Sequence, residues 1–192
     1  TVWNDKLSAN SRWTCLQALE RVNGDASIGT PDDCSAFASF PSLKVITGKL
    51  SYNNALCNGL PALEEIGGSF EANSPNGVLF PSLKRIGKTL FVRGYDGNLD
   101  ENGQIPSTLF ELPMLEEVGG HVWIDRTLAE TLVLPSLRRV EHWFFVVGNA
   151  RLEDSSVELF RDQLDQYGTF VNCRNKGSEC LQYDFPPSLD FD

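Results

Sequence analysis

Residues 60–72, Leu60-Pro61-Ala62-Leu63-Glu64-Glu65-Ile66-Gly67-Gly68-Ser69-Phe70-Glu71-Ala72, decide the fold, because Phe40-Pro41-Ser42-Leu43 upstream leads to Ile46, Gly48, Leu50 and Tyr52 at the same offsets. The shared template is apolar, Pro, x, Leu, x, x, Ile/Val, x, Gly, x, apolar, x, apolar. Three further copies follow. Phe80-Pro81-Ser82-Leu83 runs to Ile86, Leu90 and Val92 with Lys88 at the glycine position. Leu112-Pro113-Met114-Leu115 runs to Val118, Gly120, Val122 and Ile124. Leu134-Pro135-Ser136-Leu137 runs to Val140, Phe144 and Val146 with His142 for glycine. A weaker first copy without proline begins at Leu16 and passes through Leu19, Val22, Gly24, Ala26 and Ile28. The starts are spaced by 24, 20, 20, 32 and 22 residues, a solenoid period.

Each unit reads as one coil. Leu-x-x-Ile turns a corner into the core, Gly permits a tight bend, and the alternating apolar pair is a short strand. The expected fold is therefore mainly β: a right-handed β-solenoid of about six leucine-rich-repeat-like coils with parallel sheets, since no coil can bury its inward face alone. Residues 1–192 form a single domain, with 1–15 an N-terminal cap, 16–150 the coils and 151–192 a C-terminal cap and tail. Within that cap, Asp154–Leu164 places Val157, Phe160 and Leu164 at helical spacing and predicts a capping helix, and Thr169–Cys173 a last strand.

The two positions between the template Leu and Ile/Val test the register independently. They read Glu20-Arg21, Lys44-Val45, Glu64-Glu65, Lys84-Arg85, Glu116-Glu117 and Arg138-Arg139, so acidic and basic pairs would alternate up one corner. Strand spacing of about 4.8 Å would set them side by side as a ladder that fixes register more than it stabilises.

Composition bounds the rest. The 192 residues are 41% hydrophobic and 22% charged, ordinary globular usage that excludes collagen, coiled coil and wholesale disorder. A net charge of −10 makes nucleic acid and anionic membrane poor partners. No stretch approaches eighteen uninterrupted apolar residues, and the opening Thr1-Val2-Trp3-Asn4-Asp5 lacks a basic-then-apolar leader, so a trimmed mature segment without membrane insertion is expected. Five cysteines sit at the two ends: Cys15, Cys34, Cys57, Cys173 and Cys180. Cys173 with Cys180, and Cys15 with Cys34 or Cys57, would make disulfides in an oxidising compartment and leave one cysteine over; buried reduced thiols are the alternative.

These units and terminal cysteines resemble the receptor L-domain, the leucine-rich-repeat-like β-solenoid of insulin and epidermal growth factor receptor ectodomains and of fungal cell-wall proteins. The resemblance covers roughly residues 15–180. It implies an extracellular or cell-surface module that binds a ligand through its sheet face, with no catalytic residues. Proline at the second position of five copies is more regular than that family requires.

With the template apolar pair pointing inward, the residues before, between and after it face outward. The first three coils present Asp25-Ser27-Gly29, Lys49-Ser51-Asn53 and Ser69-Glu71-Asn73; the last three present Thr89-Phe91-Arg93, His121-Trp123-Asp125 and Trp143-Phe145-Val147. Phe91, Trp123 and Phe145 thus align, with Trp143, His121, Arg93 and Asp125 around them, the composition of a protein interface or a sugar-stacking platform. The expected function is non-enzymatic recognition or adhesion, binding a cell-surface protein or glycan. The alternative is an oligomerising surface-fibre or tip domain whose aromatic face packs on other subunits, or is covered by the tail Leu181–Pro187.

Asp96, Asn98, Asp100 and Asn102 place oxygen ligands at alternate positions and suggest a calcium loop, but Leu109 stands where a bidentate Glu belongs, so an ordinary Asx/Gly-rich loop is preferred and no cofactor is expected. His121 and His142 could approach each other across adjacent coils, yet two imidazoles and no CxxC pair do not make a structural zinc site, and no phosphate loop or nucleophile elbow is present.

Overall fold

The computed structural model describes residues 7–8, 18–28, 40–53, 60–73, 80–94, 110–127, 130, 132–149 and 151–173. After β1 (Leu7–Ser8), each coil gives a two-residue strand and then a longer one. These pairs are β2 (Arg21–Val22) with β3 (Ala26–Ile28), β4 (Val45–Ile46) with β5 (Leu50–Asn53), β6 (Glu65–Ile66) with β7 (Phe70–Asn73), and β8 (Arg85–Ile86) with β9 (Leu90–Arg93). β10 (Phe110–Glu111) precedes β11 (Glu117–Val118) and β12 (Val122–Asp125); β13 (Leu132–Val133) precedes β14 (Arg139–Val140) and β15 (Phe144–Val147). The helix α1 (Asp154–Gln163) and β16 (Phe170–Cys173) close the described chain.

The longer strands form an eight-stranded parallel sheet in the order β1-β3-β5-β7-β9-β12-β15-β16, and the short ones a six-stranded parallel sheet from β2 to β14. The result is a parallel β-solenoid of about five turns. What the sequence suggests is a bare corner, Leu-x-x-Ile, is thus a second sheet. β1, within the segment assigned to the N-terminal cap, adds an edge strand to the main sheet through Leu7 beside Ala26. β10 and β13 pair as a third, two-stranded sheet.

Each template position stacks on its copy in the next coil. Phe40, Leu60, Phe80, Leu112 and Leu134 form one buried column, Leu43 through Leu137 a second, and Ile46, Ile66, Ile86, Val118 and Val140 a third. Edge-on ring contacts tie coils together, as between Phe70 and Phe80, whose centroids lie 4.8 Å apart.

The proline column has a local cause. The N–H of Leu43, Leu63, Leu83, Leu115 and Leu137 each donates to the carbonyl three residues earlier, of Phe40, Leu60, Phe80, Leu112 and Leu134. Proline therefore occupies the second place of a β-turn, where its fixed φ is preorganised and its missing N–H is not needed. In two coils a serine follows it and donates to the previous coil's proline carbonyl: Ser82 to Pro61 and Ser136 to Pro113, both at 2.7 Å.

The charged corner lies in register. Arg21, Val45, Glu65, Arg85, Glu117 and Arg139 are successive partners in the six-stranded sheet. In the neighbouring column each N–H donates to the carbonyl one coil back through Glu20, Lys44, Glu64, Lys84, Glu116, Arg138 and Asp165, and the sign of charge alternates at every step. Lys84 Nζ meets Glu64 at 3.3 Å, while Arg85 and Arg139 flank Glu117 at 3.8 and 3.7 Å.

α1 caps the last coil. Val157, Phe160 and Leu164 are buried as their spacing predicts, with the Phe160 ring 5.0 Å from Phe144. Gln163 Nε2 donates to the carbonyls of Leu134 and Leu137 at 2.7 and 3.2 Å, satisfying the end of the turn column. The chain then returns to the sheet as β16 beside β15.

Candidate functional site on the main sheet

Parallel in-register pairing places the outward residues of β9, β12, β15 and β16 in two rows: Phe91, Trp123, Phe145 and Val171, and beside it Arg93, Asp125, Val147 and Cys173. Residues that are 22 to 32 positions apart in the chain are neighbours because every coil has the same width.

The rings touch in sequence along the row. Phe91 and Trp123 have centroids 6.2 Å apart, Trp123 and Phe145 4.9 Å, and Phe145 stacks on Trp143 at 5.2 Å and 19°. Each such pair adds about 0.5–1.5 kcal/mol beyond area burial, so the array is a rigid surface. Exposure is graded along it. Phe91, Trp123 and Trp143 are partly exposed, whereas Phe145 is only 1% exposed. Phe145 faces outward as strand parity requires, but it is the interior of the cluster. Val147, Val171 and Cys173 are buried with it and form a second apolar cluster on the outer side of the sheet.

At one rim, the Arg93 guanidinium lies 5.0 Å from the Phe91 ring centre, a cation–π contact, and 3.7 Å from the Asp125 carboxylate. Arg126 reaches the same carboxylate at 3.0 Å. Arg126 is a functional candidate the repeat template misses, since it lies two residues past the last template position, Ile124, at a left-handed corner with φ of +50°. At the other rim, His121 Nδ1 accepts the Trp143 backbone N–H at 3.4 Å, and the His121 and His142 rings approach to 5.3 Å. Burial, and secondarily the neighbouring His142, hold the His121 pKa below its ordinary value.

The structure thus brings together Phe91, Arg93, His121, Trp123, Asp125, Trp143 and Phe145. The calcium-loop residues Asp96, Asn98, Asp100 and Asn102 lie outside the described residues, as do Cys15, Cys34, Cys57, Cys180 and the tail Leu181–Pro187. Among the described residues no group of three or more His, Cys, Asp or Glu side chains is placed to hold a metal ion. A groove beside the corner glycines is lined by Asp25, Thr47, Lys49, Ser69 and Lys88. Its polar groups serve the backbone: Asp25 accepts the Lys49 N–H at 2.8 Å and Thr47 Oγ1 the Gly24 N–H at 2.9 Å. Among the described residues no helix is long and apolar enough to cross a membrane.

By fold the chain is a parallel β-solenoid, and its described residues include an aromatic surface on the main sheet. It matches no protein family, no curated protein and no solved structure with which it was compared.

Proposed function

We propose that this chain is a non-catalytic recognition module of the receptor L-domain kind, secreted or displayed at a cell surface, which binds a protein or glycan through Phe91, Trp123 and Trp143. One observation carries the reading: partly exposed rings in contact along a rigid parallel sheet, with the Arg93–Asp125 pair at one rim and His121 at the other. Flat rings stack on sugar faces or anchor a protein partner, and the fixed charges orient whatever polar groups the ligand carries. The repeat itself, with cysteines at its ends, supports the L-domain reading and, with it, an oxidising compartment.

The test is binding of the chain to a glycan array and a panel of cell-surface proteins, beside Trp123→Ala and Phe91→Ala variants whose far-UV circular dichroism matches the parent. A hit weakened at least tenfold by both substitutions supports the patch. A hit indifferent to both overturns it.

The partly exposed apolar rings of Phe91, Trp123 and Trp143 favour a second reading, in which the outer face is an assembly surface. Mass measurement in solution decides it: a strict monomer at micromolar concentration sinks the assembly.

A further inference from the structure

We propose that His121 is a proton-operated latch on the aromatic surface: taking a proton on Nδ1 releases the Trp143 backbone N–H and frees the Trp143 end of the ring array. The chemistry follows from the bond. Trp143 donates its N–H to His121 Nδ1 at 3.4 Å, so the neutral ring carries its proton on Nε2 and Nδ1 is the acceptor. An imidazolium has a proton on both nitrogens. It then turns an N–H toward an N–H, and the attraction becomes a repulsion.

The surroundings do nothing to soften this change. The coil before His121 carries Lys88 and Arg93, its own coil carries Asp125 and Arg126, and the coil after carries Glu141 and His142. Of these, His142 is the group whose charge bears on His121, its ring 5.3 Å away. Asp125, the carboxylate on the same strand, is already engaged by Arg93 and Arg126. Among the described residues no carboxylate is ion-paired with either imidazole. Two adjacent imidazoles without an anion cannot both be charged at little cost. His121 is half-buried, and burial together with the neighbouring His142 holds its pKa below the ordinary imidazole value.

Trp143 is the point where this reaches the surface, because its indole stacks on Phe145 at 5.2 Å and so closes the ring array at the histidine rim. The latch is a property of the chain with no ligand present. Its consequence for recognition, a ligand held at neutral pH and loosened in an acidic compartment, rests on the proposed binding patch.

The chain has only two histidines, which makes the test direct. Imidazole and backbone amide NMR signals are followed from pH 8 to pH 4.5 in the parent, His121→Gln and His142→Gln. In the parent, the Trp143 amide and indole signals are expected to shift with the midpoint of His121. In His142→Gln that midpoint rises. In His121→Gln, whose carboxamide oxygen can still accept, the Trp143 transition disappears. Trp143 signals that stay still through the His121 titration overturn the latch, as does a His121 midpoint indifferent to His142. Since no ligand is used, either failure leaves the binding experiment standing on its own, and a ligand lost in the Trp123→Ala and Phe91→Ala variants but insensitive to pH would fault the latch alone.

Discussion

Asn149 Oδ1 accepts both the backbone N–H and the hydroxyl of Thr127, at 2.8 and 2.7 Å, across one turn of the solenoid. The same carboxamide donates through Nδ2 to the carbonyls of Ile124 and Val147 at 3.1 and 3.2 Å. Both side chains are buried, Asn149 at 0% exposure and Thr127 at 3%. One amide therefore satisfies four polar groups where the chain leaves the sheet and its ladder bonds end. Asn149→Ala takes this partner from the Thr127 N–H and hydroxyl and the Ile124 carbonyl in a dry site, while the Val147 carbonyl keeps the Arg126 N–H, and is expected to cost about 3 kcal/mol in urea unfolding. Thr127→Val removes one hydroxyl and should cost about 1 kcal/mol. Asn149→Asp should be worse than either at neutral pH, since a carboxylate then faces two carbonyl oxygens.

Arg126 holds a left-handed backbone, φ +50°, at a corner where the next coil uses Gly148 at φ +71°. A side chain there costs about 1–2 kcal/mol. Arg126 also contacts the Asp125 carboxylate at 3.0 Å. The two effects separate in a pair of variants: Arg126→Ala loses the ion pair and keeps the strain, while Arg126→Gly loses both. Arg126→Gly is expected to unfold at higher denaturant, by about 1 kcal/mol relative to Arg126→Ala. Equal midpoints would mean that the corner is unstrained.

The coils were legible because the template repeats both its apolar residues and its charges, and stacking then follows from the period. Three things were not. The pair Val45–Ile46 and its copies look like a bend in sequence, because two residues are too few for an alternating pattern to show and only Ile46 of the pair is buried. Asn149 stands alone, past the last template position, so no periodicity points to it. Strand parity gives the direction of Phe145 but not its cover: the ring faces outward and is still buried at 1% exposure. The site was therefore readable as a list of residues on one face, and its grading from partly exposed Phe91 to buried Phe145 was not.

Glu117 is the centre of a three-charge rung, between Arg85 at 3.8 Å and Arg139 at 3.7 Å. Glu117→Lys would set three cations in a row on successive coils. These groups are solvent-exposed enough that the pairs contribute about 1 kcal/mol or less in total. The expected loss is of that order in low salt and shrinks toward zero in about 1 M salt, where the screening length falls to about 3 Å. A loss independent of salt would assign Glu117 a packing role instead. Since the ladder fixes register, the urea midpoint should move while the steepness of the transition does not.

Tyr52 supplies an alkaline signature of core integrity. Its side chain is 1% exposed, its ring lies edge-on to Phe80 at 5.5 Å, and burial pushes its hydroxyl up to about 12 from the usual 10. The folded state thus keeps a proton that the unfolded chain releases first. Between pH 10 and about 12 the unfolded state binds fewer protons than the native one, so rising pH draws the equilibrium toward unfolding. Stability is fully present below pH 10 and falls across that window. Tyr52→Phe cannot ionise there and should show a flatter decline in denaturant midpoint over the same range. Parallel declines in parent and variant would place the alkaline loss elsewhere, and tyrosinate absorbance, followed in the folded parent and in Tyr52→Phe, should show one hydroxyl that resists ionisation up to about pH 12.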